Sequence, residues 1–329
     1  MANAQPKLVF GGAVLESFYG FDTPEKVQKF LDIIAELGIG VIDTALLYGE
    51  SEELLGKTNA ASRFVIDTKF PGGFKLDELS TKDKVIEAGK ESLRRLNTNS
   101  VDVFYQHAPD PKLPLEDTLA GVNELYKAGA FKRFGLSNFM AEDVENVMRI
   151  SKEHNYVLPS VYQGIYSAFA RRAETELIPV LRKYGIAFYA YSPSAGGFLA
   201  KTSEAIRNGG TGRWDSQNFQ GKMYNSMFGK PSLLEGLDAW NDIAKEEGIS
   251  GIELAYRWIV YHSKLDGALG DAVIVGARSG EQLTEIVVGI KNGPLSEKAA
   301  RKIDAIWEKI ASDAPLGCYN SFVSLLSSS

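Results

Sequence analysis

Asp43, Tyr48, Lys69 and His107 are the residues of this chain whose types and spacing promise chemistry. Each follows a short run of β-branched and aromatic residues. Val41-Ile42 precedes Asp43 and Tyr48, the run from Phe64 leads to Lys69, and Val101-Asp102-Val103-Phe104-Tyr105-Gln106 leads to His107. The ends of such runs are where an α/β sheet or barrel presents side chains to a ligand. A tyrosine hydroxyl titrates near pH ~10, too high for ready proton donation at neutrality. A lysine cation beside it favours the phenolate and lowers that pKa, and a carboxylate behind the lysine keeps it charged and in place. The expected product of this convergence is a general acid for an oxygen that is gaining negative charge. Taken singly, Lys69 reads as a solvated lysine and His107 as a hydrogen-bonded structural residue. Their placement at three successive strand ends is what joins them.

The elements that must position these residues alternate along the whole chain. Strand-like segments are Lys7 to Gly11, Ile39 to Thr44, Phe64 to Phe70, Val101 to Gln106, Lys132 to Leu136, Ser160 to Gln163, Ile186 to Tyr191 and Ala272 to Val275. All are short and apolar, as in a parallel sheet covered on both faces. Helical periodicities lie between them: Val27, Phe30, Ile34 and Leu37; Val85, Gly89, Leu93 and Leu96; Leu115, Leu119, Val122 and Tyr126; Leu177, Leu181 and Tyr184. Thr23-Pro24-Glu25 reads as an N-cap with proline at the first helical position, and Gly38, Gly129 and Gly185 read as helix-ending glycines. Eight βα units predict a single-domain (β/α)₈ TIM barrel over residues 1–329, with its site at the C-terminal rim of the strands. An open doubly wound sheet is the alternative, weakened because no Gly-x-Gly-x-x-Gly follows a strand. The regularity breaks between Gly196 and Leu237, where Gly209-Gly210-Thr211-Gly212-Arg213-Trp214 suggests a long functional loop. The tail, about 311–329, reads as an extended or partly disordered end from Pro315 onward.

Composition bounds the partners. The chain has 329 residues, 44% hydrophobic and 24% charged, with net charge 36 − 42 = −6. No basic run alternates with aromatics, which argues against nucleic acid. No apolar stretch approaches the ~20 residues of a membrane span, and Met1-Ala2-Asn3-Ala4-Gln5-Pro6 does not read as a signal peptide. The single cysteine, Cys318, fits a reducing compartment, the cytoplasm. Three scattered histidines and one cysteine offer no metal-ligand spacing.

Asp43-x4-Tyr48, Lys69 and His107, with Gly49-x-Ser51-Glu52-x-x-Leu55-Gly56, together resemble the aldo-keto reductases. Gly135-Leu136-Ser137-Asn138-Phe139, Gln163 and Tyr189-Ala190-Tyr191-Ser192-Pro193 extend the match, which covers roughly residues 7 to 310. Tyr105-Gln106-His107-Ala108-Pro109-Asp110, Ala195-Gly196-Gly197-Phe198-Leu199, Gly212-Arg213, Tyr261-His262-Ser263 and Gly270 to Gly276 resemble the aflatoxin-aldehyde and succinic-semialdehyde reductase branch.

The resemblance implies NADPH-dependent reduction of a small carbonyl substrate. Tyr48 would donate the proton, Asp43 and Lys69 would tune it, and Tyr48 with His107 would bind the substrate carbonyl. Ser137, Asn138 and Gln163 would hold the nicotinamide carboxamide, which needs both a donor and an acceptor. Tyr191 would stack on the ring. Asp43, Ser192, Pro193, Ser194, Ala195, Gly196 and Gly197 complete the implied cofactor contacts at that end. Gly276, Ala277, Arg278, Ser279, Gln282 and Glu285 would serve the phosphates and adenine, using a helix N-terminus and, in Arg278, a donor suited to a 2′-phosphate. Arg213 would fold over the pyrophosphate as the long loop closes. Ile286 departs from the asparagine many family members carry for adenine contact. Phe18, Tyr19, Phe169 and the segment Phe198 to Trp214 are expected to shape the substrate space, and the family leaves room for a homodimer. The competing class is a nucleotide-binding regulatory subunit resembling potassium-channel β subunits. A short-chain dehydrogenase is disfavoured, because no Tyr-x-x-x-Lys pair occurs.

Overall fold

The computed structural model describes residues 4–210 and 212–327. Met1-Ala2-Asn3 of the expected start, Thr211 of the glycine-rich stretch and the last two tail serines lie outside the described residues. Eight parallel strands close into a barrel in chain order: β1 Lys7–Gly11, β2 Val41–Asp43, β3 Val65–Phe70, β4 Val101–Gln106, β5 Phe131–Ser137, β6 Pro159–Ile165, β7 Ala187–Tyr191 and β8 Ala272–Val275. β1 closes the ring by pairing with both β2 and β8. The eight expected strands are therefore all present, with ends displaced by a residue or two.

Two apolar clusters hold this architecture. The larger fills the layer between strands and helices, with Phe10, Ile42, Phe104, Phe134 and Phe188 packed against Val27, Leu31, Val85, Val122 and Leu181. The smaller lies inside the barrel and gathers Val9, Val103, Tyr105, Val161, Ala187, Tyr189, Ala272 and Ile274. Burial of both faces explains why the strands read as nearly continuous apolar runs. The helix Pro24–Glu36 starts where Thr23 accepts the Lys26 N–H, and Gly38 (φ +80°) ends its turn in a conformation open to glycine. Tyr126 departs from its expected inward face: Leu125 is buried in its place, and Tyr126 is exposed.

Two expectations are corrected. The segment 196–237 is not an aperiodic loop. It carries the helices Ser203–Arg207 and Phe219–Phe228, and Leu237 lies buried within the helix Pro231–Glu247. Short helices separated by glycines and by Pro231 break the long-range periodicity, although each buries apolar side chains. Trp214 anchors the segment: it is buried, stacks near Phe198 and Tyr224, and donates Nε1–H to the Gly196 carbonyl at 3.0 Å. The tail is likewise not extended, since Cys318–Ser327 is a helix. Tyr319, Phe322, Val323 and Leu326 recur at a helical period, a signal that the serine-rich composition hid.

Candidate active site

The rim formed by the ends of β2, β3 and β4 brings together all four residues singled out first. Lys69 is fully buried and donates to Asp43 Oδ2 at 2.6 Å and to the Thr44 carbonyl at 2.7 Å. Gln163, at the end of β6, donates Nε2–H to the other Asp43 oxygen at 2.8 Å. The carboxylate is thereby oriented from both sides. Burial works against the Lys69 ammonium, but Asp43 and then Tyr48 outweigh it and hold its pKa above the ordinary lysine value. Lys69 Nζ lies 4.8 Å from the centre of the Tyr48 ring.

The phenol itself behaves differently from the first expectation. Burial raises the Tyr48 pKa, and Lys69 pulls it down without overcoming that effect. The structure thus holds a protonated donor beside a cation that favours the phenolate, and burial keeps the proton on it in the free protein. His107 meets Tyr48 edge-on at 5.6 Å and Phe74 at 5.1 Å. Burial, and then the Lys69 charge, hold its imidazole well below the ordinary range, so it is neutral at neutral pH. Its Nδ1 is buried with no partner among the described residues.

The remaining cofactor candidates fall into two groups. Near the tetrad, Asn138 donates Nδ2–H to the His107 carbonyl at 2.9 Å and to Ser137 Oγ at 3.0 Å, and its Oδ1 accepts from Tyr191 Oη–H at 2.8 Å. Asn138 (φ +62°), Ser192 (φ +55°) and Ala195 (φ +53°) hold the left-handed backbone at the ends of β5 and β7. Such conformations cost energy for residues other than glycine and cluster at functional sites. Pro193 and Ala195 are buried, while Ser194, Gly196 and Gly197 are half-buried along the same turn. At Gly196 a side chain would strike the Tyr224 ring at 2.1 Å.

Farther out, Gly276 and Arg278 are exposed after β8, with Ala277 buried between them. Ser279 caps the helix Gly280–Lys291 by accepting the Gln282 N–H, and Gln282 Oε1 accepts the Arg278 N–H at 3.0 Å. Glu285 is exposed, whereas Ile286 is buried in the main core and serves packing.

Tyr19, expected in the substrate space, lies beside these residues. The Arg278 guanidinium lies 5.2 Å from its ring centre, and Arg213 faces its hydroxyl. Among the described residues neither arginine has an ion-pair partner, and Arg213 Nε is buried without an acceptor. Phe169 is corrected as well: it is fully buried against Phe198 and Trp240, so it supports the wall rather than lining the space. The sequence reading also missed an aromatic row beyond His107. Phe74 meets Tyr319 and Phe322 edge-on at 5.2 and 5.3 Å, bringing the C-terminal helix over the rim. Gly73 makes room for this, since a side chain there would meet the Tyr319 hydroxyl at 2.4 Å.

A closed parallel barrel with a buried carboxylate and ammonium and a half-buried phenol at its C-terminal rim is the frame of a carbonyl oxidoreductase, and the chain belongs to the aldo/keto reductase family, whose profile matches residues 7–308. It is 41% identical over 319 residues to Oxidoreductase sirO of Leptosphaeria maculans, spanning 94% of this chain and 96% of that protein. It is 34% identical to Aflatoxin B1 aldehyde reductase member 4 of Homo sapiens, spanning 96% and 98%. It is 35% identical to Aflatoxin B1 aldehyde reductase member 2 of Rattus norvegicus, spanning 88% and 81%. Among the described residues, no helix is long and apolar enough to cross a membrane.

Proposed function

We propose that this protein reduces an aldehyde or ketone to the alcohol with NADPH, and that Tyr48 is the general acid. The observation that carries the reading is the buried Lys69–Asp43 pair, held by Gln163 and set against the Tyr48 ring. NADPH, when bound, supplies the hydride. Tyr48 gives its proton to the carbonyl oxygen as charge develops there, and Lys69 stabilises the phenolate that remains. Neutral His107 orients the carbonyl by donating a hydrogen bond rather than by competing as a cation.

The residues present fit the dinucleotide. Two arginines without carboxylate partners among the described residues meet at Tyr19, which suits pyrophosphate and a 2′-phosphate. Gly276 leaves open space at a capped helix N-terminus. Ser137, Asn138, Gln163 and Asp43 serve the carboxamide, Tyr191 the ring, and Ser192 through Gly197 the adjoining turn. Arg213 serves the pyrophosphate, and Ala277, Arg278, Ser279, Gln282 and Glu285 serve the far end. In this reading the chain is one domain acting in the cytoplasm.

Turnover of an aldehyde panel with NADPH and NADH in parallel tests it. Reduction that prefers NADPH is expected. Nucleotide binding without turnover on any carbonyl would favour the regulatory-subunit class instead.

A further inference from the structure

A second carboxyl group lies inside the barrel, one strand from Asp43 and two residues from Lys69. Asp67 is fully buried, and its Cα is the cross-strand partner of Asp43 in the β2–β3 pairing. Residues two apart on a strand share a face, so Asp67 and Lys69 both turn to the interior. Asp67 Oδ1 accepts the Val103 N–H at 3.1 Å, while Oδ2 is buried with no partner among the described residues. An asparagine would satisfy Val103 equally well, so that bond does not account for a carboxyl group there. The Tyr105 hydroxyl, on the next strand, is also buried without a partner.

The charged and titratable groups around Asp67 come from most of the barrel wall. They are Asp43 on β2, Lys69 on β3, Asp102 and Tyr105 on β4, Arg133 on β5, Tyr189 on β7 and Lys7 on β1. Arg133 is largely committed, donating to Asp102 at 2.6 Å and to the Tyr189 hydroxyl at 3.2 Å. β6 and β8 line the interior with Val161, Ala272 and Ile274. Among the described residues no cation is therefore dedicated to Asp67, while Lys69 already holds the Asp43 carboxylate and faces a further buried carboxyl, Glu52, which accepts from Thr68 through Oε1.

We propose that Asp67 is a positioning residue for the proton donor: as a neutral acid it leaves Lys69 to the carboxyls of Asp43 and Glu52, and as a carboxylate it adds one more negative charge beside them. In the first state Lys69 acts fully on Tyr48 and proton donation is easiest. In the second the added negative charge stabilises the phenol and slows donation. Carbonyl reduction thereby becomes coupled to the protonation of a group that touches neither substrate nor cofactor. The inference rests on the proposed role of Tyr48. Burial, then Asp43 and Asp102, push the Asp67 carboxyl up to about 8, against the weaker pull of Arg133 and the Val103 N–H.

Asp67→Asn keeps the shape and the Val103 acceptor and removes the ionisation. Its pH profile for reduction should lose the fall near pH 8, with the alkaline limb displaced upward by roughly one pH unit, the scale of one nearby buried charge. Thermal unfolding supplies a readout without substrate. A carboxyl whose pKa is raised on folding binds its proton more tightly in the native state, so it lowers stability progressively between its unfolded pKa near ~4 and its folded value. The Tm advantage of Asp67→Asn over the wild type should therefore grow as pH rises through this range and level off above about 8. An unmoved pH profile and a pH-independent Tm difference would overturn the inference.

Tyr48→Phe, assayed in parallel, separates the two claims. Its inactivity beside an unmoved Asp67→Asn profile overturns only the role of Asp67. Full turnover in Tyr48→Phe overturns the proposed donor and this inference with it. Should Asp67→Asn fail to fold, infrared spectroscopy of the wild type decides. A buried carboxylic acid band that fades as pH passes about 8 supports the inference, and its absence at neutral pH overturns it.

Discussion

The two ends of the proposed cofactor groove are built on opposite principles. At the tetrad, polar side chains are bound to one another: Lys69 to Asp43, Asp43 to Gln163, Asn138 to Tyr191 and to the His107 carbonyl. At the other, Arg278 lies against Tyr19, and Arg213 faces Tyr19 and Tyr224 and reaches toward Tyr48; among the described residues neither has an acid opposite. The first arrangement is preorganised, so little reorients when charge moves from carbonyl to phenol. The second is a pair of uncommitted cations whose free energy improves when an anion arrives. The tetrad end is therefore suited to transition-state stabilisation and the arginine end to ground-state affinity, and substitutions at each should separate into kcat and Kd effects.

The largest effect is expected at the phenol. Tyr48→Phe removes the acidic proton and little packing, so carbonyl reduction should fall by ~10²–10⁴-fold while NADPH titrates nearly as in the wild type. Full turnover on a good aldehyde would show that the donor lies elsewhere. Lys69→Met should cost turnover too, but it also leaves Asp43 buried without its cation. Breaking a buried pair on one side typically costs ~3–5 kcal/mol, so its denaturation midpoint should drop where that of Tyr48→Phe does not. Unchanged stability would mean that Asp43 is not held as a charge.

The arginine end should respond more mildly and in binding alone. Arg278→Ala removes one charge-assisted contact, worth ~1.5–3 kcal/mol, and should weaken NADPH about tenfold or more with NADH little affected. Fluorescence titration with both nucleotides measures the difference, and equal weakening would move the 2′-phosphate contact to another residue. The smallest effect belongs to the aromatic row. Tyr319→Ala loses the edge-on pair with Phe74 and the stacked pair with Phe322, each of about 0.5–1.5 kcal/mol, and should raise KM a few-fold for apolar carbonyls with nucleotide affinity constant. A KM unchanged across a substrate panel would separate the C-terminal helix from the substrate space.

The tetrad was legible because its positions follow from strand endings: a short apolar run that stops at a polar residue marks the rim of a barrel whoever its neighbours are. The eight strands and the glycines after helices were legible for the same local reason, since periodicity and φ preference are properties of a few adjacent residues. The segment 196–237 and the tail were misread because their helices are short and interrupted. Their stability comes from aromatics, Trp214 with Phe198 and Tyr319 with Phe74, that meet only after folding. The neighbours of Tyr19 were not legible, because Arg213 and Arg278 stand nearly two hundred residues or more away in sequence and meet it only after folding.

By itself, then, the order of residues determined the barrel, the rim and the four side chains on it, because strand and helix periods are written in local spacing. The tertiary structure decided the balance of charge. Whether Lys69 lowers the Tyr48 pKa outright depends on how much water burial removes, and here burial prevails. Asp67 carries no mark in the sequence that separates it from any other strand aspartate. Only closure of the barrel sets it beside the Asp43–Lys69 pair with its Oδ2 lacking a partner among the described residues, where Coulomb interactions act over distances that the linear chain does not encode.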